Sequence, residues 1–183
     1  PNNWNSFFGG PAWKYSEERS QYYLHLFDKQ QADLNWSNPK LRNEVFSIMK
    51  WWAARGIDGF RMDVINMISK EPAFPDDTRD VDPLVVLGTP YFVNGPELHT
   101  YLREMRREAL DAENLCAVGE CPGARFEDVL KLTGYDRGEL DAVFQMELME
   151  IDHGDGGKWD IKPWSVSEFA AKIADWQKGL EGY

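Results

Sequence analysis

Two acidic side chains in this sequence each follow a short apolar run and precede a turn. In the stretch GFRMDVIN, Asp63 lies two residues after Arg61, and in AVGECPG, Glu120 comes just before a Cys-Pro-Gly segment. Side chains alternate between the two faces of a strand, so Arg61 and Asp63 share one face. A carboxylate inside a sheet or barrel is costly unless it is paired, and Arg61 is a suitable partner.

Arg61 and Asp63 taken alone fit a structural ion pair as well as a catalytic site, because ion-pair networks also perturb carboxylates. Glu120 favours catalysis, since two acids then end consecutive strands. Adjacent strands of a parallel barrel can bring two carboxyls within the roughly 5 to 5.5 Å of retaining glycosidases. That chemistry needs one ionised carboxylate and one protonated carboxyl. Arg61 would keep Asp63 ionised, whereas Glu120 has no cationic neighbour in sequence.

The elements that must position these acids alternate between helix and strand. Asn38 and Pro39 predict the start of a helix, which apolar residues at spacings of three and four continue up to Gly56. Ser165 and Glu168 predict a capping box for the last helix. The sequence predicts irregular loop or small-subdomain structure over 1–28 and a loop over 71–90. It predicts strands over 57–65, 115–120 and 140–148, and further helices from Asn94 and over 126–132.

This alternation implies parallel strands with crossover helices, in a barrel or a doubly wound sheet. No glycine-rich phosphate loop follows any predicted strand, which argues against a nucleotide-binding sheet.

The composition limits the class of protein and its partners. The chain has 183 residues, 43% of them hydrophobic, which is enough for one sizeable core. A formal net charge of -11 disfavours nucleic acid and anionic membrane surfaces, so a neutral ligand fits better. No apolar run approaches the roughly 20 residues that span a bilayer. The chain does not begin with Met, so we expect it to be a piece of a longer protein. We expect that protein to be cytoplasmic.

The ordered set QQADLNW, GFRMDVIN and VGECPG resembles the α-amylase superfamily (glycoside hydrolase family 13), specifically its oligo-1,6-glucosidase and α-glucosidase branch. PNNWNSFFGG, YYLHLF and GGKWDIKPW also resemble that branch, so the resemblance covers nearly the whole chain. It implies an α/β fold: residues 29–183 would form part of a (β/α)8 barrel, about strands four to six with their helices. Residues 1–28 would end the small loop-rich domain B. Three strands cannot close a barrel, so we expect the isolated chain to be inactive and marginally stable.

The resemblance also implies roles for individual residues. Asp63 would be the nucleophile and Glu120 the general acid and base of a retaining α-glucosidase, with Arg61 holding the nucleophile. The substrate would be a small isomaltose-type oligosaccharide, cleaved at α-1,6 bonds from the non-reducing end. Four residues match substrate-pocket positions: Phe8, Phe27, Gln31 and Val64. Val64 favours α-1,6 specificity, because Thr or Ala is usual there in maltose-preferring relatives.

No cofactor and no metal site are expected in this chain. The family's calcium loop, its third catalytic Asp and a substrate-binding His would lie in segments outside it. Ala32 replaces the Pro usual in the branch, and Cys121 replaces the usual Thr. Cys121, beside Glu120, is expected to alter local polarity and to make the site sensitive to thiol reagents. Both cysteines, Cys116 and Cys121, are expected to be reduced.

Two other functions remain open. A sucrose isomerase or another α-transglucosylase shares both carboxylates, and a catalytically inactive relative could be the binding subunit of a membrane transporter. The presence of Asp63, Glu120 and Arg61 argues against the second.

Structural roles, rather than catalytic or metal-binding roles, are predicted for the other polar residues that stand out in the sequence. The three histidines, His25, His99 and His153, match no serine-hydrolase motif and are assigned surface or packing roles. One acidic segment is predicted to be a solvated loop and contains Asp76, Asp77, Asp80 and Asp82. A second polar segment matches no calcium-loop spacing and is predicted to be a turn; it contains Asp152, His153 and Asp155.

Overall fold

The computed structural model of the chain describes residues 1–81, 85–154 and 157–181. Its helices are α1 Pro39–Ala53, α2 Thr89–Phe92, α3 Leu98–Met105, α4 Phe126–Thr133 and α5 Val166–Gly179. Its strands are β1 Trp13–Ser16, β2 Gln21–Leu24, β3 Gly59–Met62, β4 Cys116–Gly119, β5 Ala142–Val143, β6 His153–Gly154 and β7 Gly157–Ile161. Helix α3 continues through a π-helical turn, Arg106–Leu110, and a 3-10 turn, Asp111–Glu113.

Strands β3, β4 and β5 form a parallel sheet with β4 in the centre. Helix α3 and its extension connect β3 to β4, and α4 connects β4 to β5. These are the crossover connections that parallel strands require. The prediction of an α/β fold with parallel strands and crossover helices is therefore confirmed.

One face of this sheet packs against the helices. Met62 is buried in the main core and Phe60 packs against that core, whereas Arg61, between them, is exposed. The predicted alternation along β3 is thus observed. Many buried side chains of this core come from the connecting helices and the strand flanks; they include Leu98, Leu102, Met105, Leu110, Leu132 and Leu140. Gly59 has to be glycine, since a Cβ there would overlap the carbonyl of Cys116 on the adjacent strand.

The prediction of irregular loop or small-subdomain structure over residues 1–28 did not include the two regular strands found there. Strands β1 and β2 form an antiparallel hairpin in which the rings of Tyr15 and Tyr22 lie 5.1 Å apart. A second apolar core joins this segment to the loops that follow β3 and precede α3; its buried members are Trp4, Ala12, Leu24, Leu26, Met67 and Phe92. A domain boundary at residue 28 stays a prediction.

Two predicted strands are shorter than expected. The backbone leaves the β conformation after Met62 because Val64 is left-handed, with φ of 36°, and a 3-10 turn follows over Ile65–Met67. The strand predicted at 140–148 has only two residues, Ala142–Val143. The starts of α1 and α5 were predicted well: Asn38 caps α1, Pro39 lies in its first turn, and Ser165 and Glu168 form the capping box of α5. The helix predicted from Asn94 begins later, at Leu98.

Asp77 is buried, so its assignment to a solvated loop is wrong. Its side chain is 0% exposed and accepts hydrogen bonds from Arg79 and from the backbone N–H of Gly88. These bonds hold the pKa of Asp77 well below its usual value, with Arg79 as the main cause. Asp82 and Asp155 lie outside the described residues. Within the described part of the chain, no helix is both long and apolar enough to cross a bilayer.

Candidate active site

The sheet register places the two acids side by side. Arg61 pairs with Val118 and Met62 with Gly119, so Asp63 and Glu120 occupy the next level, at the carboxyl ends of their strands. The ladder continues there, since the Glu120 N–H donates to the Met62 carbonyl at 2.9 Å. Backbone hydrogen bonding therefore fixes the relative height of the two carboxylates.

Arg61 bridges both carboxylates. One guanidinium nitrogen donates to Asp63 Oδ1 and the other to Glu120 Oε2. The bond from Arg61 is the largest cause of a lowered pKa of Asp63, and a contact with Glu120 lowers it further. The expectation that Arg61 keeps Asp63 ionised is thus supported by geometry. Glu120 has no cationic neighbour in sequence, but the fold supplies one, Arg61 on the adjacent strand.

A cavity of about 130 Å³ opens beside Asp63. Its lining is mostly apolar and comprises Leu26, Phe27, Asp33, Leu34, Trp36, Asp63, Val64, Met67, Ile68 and Lys70. Phe27 and Val64, both predicted to contact substrate, therefore lie in the wall next to the predicted nucleophile. The left-handed backbone of Val64 turns the chain into this wall directly after Asp63.

The other two predicted substrate contacts lie further out. Phe8 is 69% exposed, and its ring packs edge-on against Phe27 at 5.8 Å between centroids. Gln31 is not among the lining residues of the cavity, and its side-chain oxygen accepts a hydrogen bond from the Asp28 N–H in a local turn. The structure thus brings Phe8 to the mouth of the site through Phe27, but leaves Gln31 outside the cavity.

Asp33 and Lys70 form a buried ion pair in the same wall, which the sequence analysis missed. Lys70 Nζ donates to Asp33 Oδ1 at 2.6 Å. Burial raises the pKa of Asp33 and lowers the pKa of Lys70, and each partner opposes the shift of the other. The pair fastens the segment before α1 to the segment after β3. The sequence offered only a weak signal, a lysine ending the apolar run that follows Asp63.

Cys121 does not behave as expected. Its side chain is 1% exposed and faces the interior, and burial raises the pKa of its thiol to about 12. A protonated, inaccessible thiol reacts poorly. The expectation that Cys121 makes the site sensitive to thiol reagents is therefore wrong. Cys116 and Cys121 are both free, as predicted.

The described residues contain no group of three or more His, Cys, Asp and Glu side chains that could hold a metal ion. The site combines the carboxylates of Asp63 and Glu120, which Arg61 bridges, with a mostly apolar wall that also holds the Asp33 and Lys70 pair. This arrangement suits acid, base and nucleophilic chemistry at a neutral, ring-bearing substrate.

Comparison with known proteins connects this geometry to one family. A family model for the catalytic domain of α-amylase matches residues 1–183. The oligo-1,6-glucosidase of Parageobacillus thermoglucosidasius is 50% identical over 182 residues, which cover 100% of this chain and 32% of that enzyme. The chain thus spans about a third of the length of the curated relatives that it matches.

Solved structures agree with this match. The trehalose-6-phosphate hydrolase of Bacillus licheniformis is 39% identical and superposes with a TM-score of 0.90, over 98% of this chain and 31% of its own. The isomaltulose synthase of a Klebsiella strain is 34% identical, with a TM-score of 0.91 over 100% of this chain and 32% of its own. The parallel strands β3, β4 and β5 with their helices are accordingly part of a (β/α)8 barrel, and the chain belongs to the α-amylase catalytic domain family.

Proposed function

We propose that the protein containing this chain is a retaining α-glucosidase that releases glucose from the non-reducing end of α-1,6-linked oligosaccharides. One observation carries the proposal: Asp63 and Glu120 end adjacent parallel strands at the same level and share Arg61. Paired carboxyls at the carboxyl ends of barrel strands are the arrangement that retaining glycoside hydrolysis needs.

The proposed mechanism gives each group one role. Asp63, kept ionised by Arg61, attacks the anomeric carbon of the terminal glucose and forms a glucosyl ester. Glu120 donates its proton to the leaving glycosidic oxygen and then takes a proton from the water that hydrolyses the ester. Because Glu120 has to be protonated in the first step, its contact with Arg61 must give way to a contact with the substrate oxygen.

The α-1,6 preference rests on two supports. Val64 lines the cavity directly after Asp63, and the family resemblance associates Val at this position with α-1,6 specificity. The matched curated relatives include several proteins named oligo-1,6-glucosidase. No organic cofactor or metal ion enters the proposed reaction. A cytoplasmic location and inactivity of the isolated chain remain predictions.

A sucrose isomerase is the second candidate, because the isomaltulose synthase structure superposes closely on this chain. A substrate that carries phosphate is less suitable for this cavity. In the described part of the chain, the cations at the cavity and its carboxylates are Arg61 and Lys70, and both already bind carboxylates. A phosphate would therefore have to displace an existing ion pair.

The test uses the full-length protein, incubated separately with isomaltose, maltose, sucrose and trehalose 6-phosphate. Glucose from isomaltose, at a rate well above that from maltose, supports the proposal. An isomerised disaccharide from sucrose supports the second candidate, and hydrolysis of trehalose 6-phosphate alone contradicts both. Replacing Asp63 with Asn should abolish turnover, and a near-normal rate in that variant would remove Asp63 from the nucleophile role.

A further inference from the structure

Asn66 lies in the 3-10 turn that follows Asp63, and it is 0% exposed. Its side-chain nitrogen donates to the Pro122 carbonyl at 3.0 Å and to Asn94 Oδ1 at 3.2 Å. Both partners are acceptors, which fixes the orientation of the Asn66 amide. One side chain thus connects the turn after β3 to the turn after β4 and to the segment before α3.

A backbone bond joins the same two turns. The Ile65 N–H donates to the Glu120 carbonyl at 3.0 Å. Together with the bond from the Asn66 amide to Pro122, it forms a strap that links residues 65 and 66 to residues 120 and 122. Asp63 lies three residues before Asn66, and Glu120 lies two residues before Pro122, so a shift at this strap is transmitted over a short length of chain.

Packing alone does not account for an asparagine at this place. Asn66 Oδ1 is buried and has no hydrogen-bond partner within the described residues, which is destabilising. A leucine would fill a similar volume without that cost. Among uncharged side chains, only the amide of Asn or Gln supplies two N–H donors from a single nitrogen, and the carboxylate of aspartate supplies none.

We propose that Asn66 is a positioning residue, which sets the separation of the Asp63 and Glu120 carboxyls by fastening the turn after β3 to the turn after β4. The kinetic consequence rests on the proposed glucosidase function, whereas the structural consequence does not. Because a misplacement of about 1 Å can cost about 100-fold in rate, loss of the strap is expected to lower kcat by about 10- to 100-fold with a smaller change in KM.

The experiment compares the full-length wild type with Asn66→Ala and with a matched control, Asn94→Gly. The control removes the bond to Asn94 but keeps the bond from Asn66 to Pro122, and glycine accepts the left-handed backbone at position 94. Each protein is assayed for kcat, KM and the pH profile of kcat/KM per folded molecule. The crystal structures of the wild type and Asn66→Ala give the separation of the two carboxyls without any need for turnover.

In Asn66→Ala we expect a lower kcat, a shifted pH profile and an altered separation of the two carboxyls. In the control, Asn94→Gly, we expect a kcat within about threefold of the wild type. A folded Asn66→Ala variant with unchanged kcat, pH profile and separation would overturn the proposal. If Asn66→Ala does not fold, Asn66→Leu fills a similar volume and removes the same donors; a wild-type kcat and pH profile in that variant would also overturn the proposal. A wild type inactive on every glycoside contradicts the proposed function instead, and the carboxyl separation then decides the role of Asn66.

Discussion

Replacing Lys70 with Met is expected to destabilise the folded protein by about 3 kcal/mol at pH 7, near the lower end of the range for broken buried pairs. Lys70 and Asp33 lie 2.6 Å apart, with side chains only 9% and 19% exposed. Methionine retains most of the lysine stem, so the substitution removes the charge with little loss of packing. The cost arises because Asp33 is left as a buried carboxylate without its cation.

The destabilisation by Lys70→Met should increase as the pH rises. Burial already raises the pKa of Asp33, and Lys70 opposes that rise, so removal of Lys70 raises the folded-state pKa further. A folded pKa above the unfolded value of about 3.9 gives stability that is present below pH 3.9 and lost as the pH rises through the folded value. The destabilisation by Lys70→Met should therefore be small at pH 4 and fully developed at pH 7.

A double-mutant cycle measures this effect. The free energy of unfolding in urea, followed by Trp fluorescence, is compared for the wild-type full-length protein, Lys70→Met, Asp33→Asn and the double variant. Since the double variant has no unpaired charge, it should be more stable than Lys70→Met by about 2 kcal/mol. Two results would contradict a buried ion pair between Asp33 and Lys70. One is a destabilisation below about 1 kcal/mol for Lys70→Met at pH 7, and the other is a double variant that is no more stable than Lys70→Met.

Three further predictions concern other groups near the site. Arg61→Met should move the acidic limb of the pH profile of kcat/KM to higher pH, because Asp63 loses the bond that lowers its pKa; an unmoved limb contradicts this. Asp77→Asn should cost about 2 kcal/mol in urea unfolding at pH 7 and less than half of that at about pH 2. The depressed pKa of Asp77 gives stability that is present above about pH 3.9 and lost as the pH falls, so an equal cost at both values contradicts the assignment. Cys121 should resist iodoacetamide at pH 7.5 until the protein is denatured, as mass spectrometry of its peptide will show; rapid labelling of the native protein contradicts its burial.

Local signals in the sequence predicted the starts of two helices well. Asn38, Pro39 and the Ser165 capping box act on their own turn, so the observed starts of α1 and α5 follow from the residues alone. The strand-end position of Asp63 was likewise readable, because the alternation of Phe60, Arg61 and Met62 needs no knowledge of the neighbouring strand.

Tertiary pairings were not predictable from local patterns. The contact of Arg61 with Glu120 depends on the register of β3 and β4, which joins residues 59 apart in sequence. The pair of Asp33 and Lys70 joins segments that are separated by α1 and β3. Asp77 was misassigned because charge density in a loop does not reveal which carboxylate the fold buries.

Identifying the residue that forms the covalent bond to glucose tests the role of Asp63 as the nucleophile most directly. The full-length protein is incubated with a fluorinated glucosyl fluoride, which slows hydrolysis of the glucosyl-enzyme, and is then digested with trypsin and analysed by mass spectrometry. Cleavage after Arg61 and Lys70 releases residues 62–70, with Asp63 as the sole carboxylate side chain. The account predicts the added fluoroglucosyl mass on this peptide. An active enzyme that carries the added mass on another peptide would contradict it.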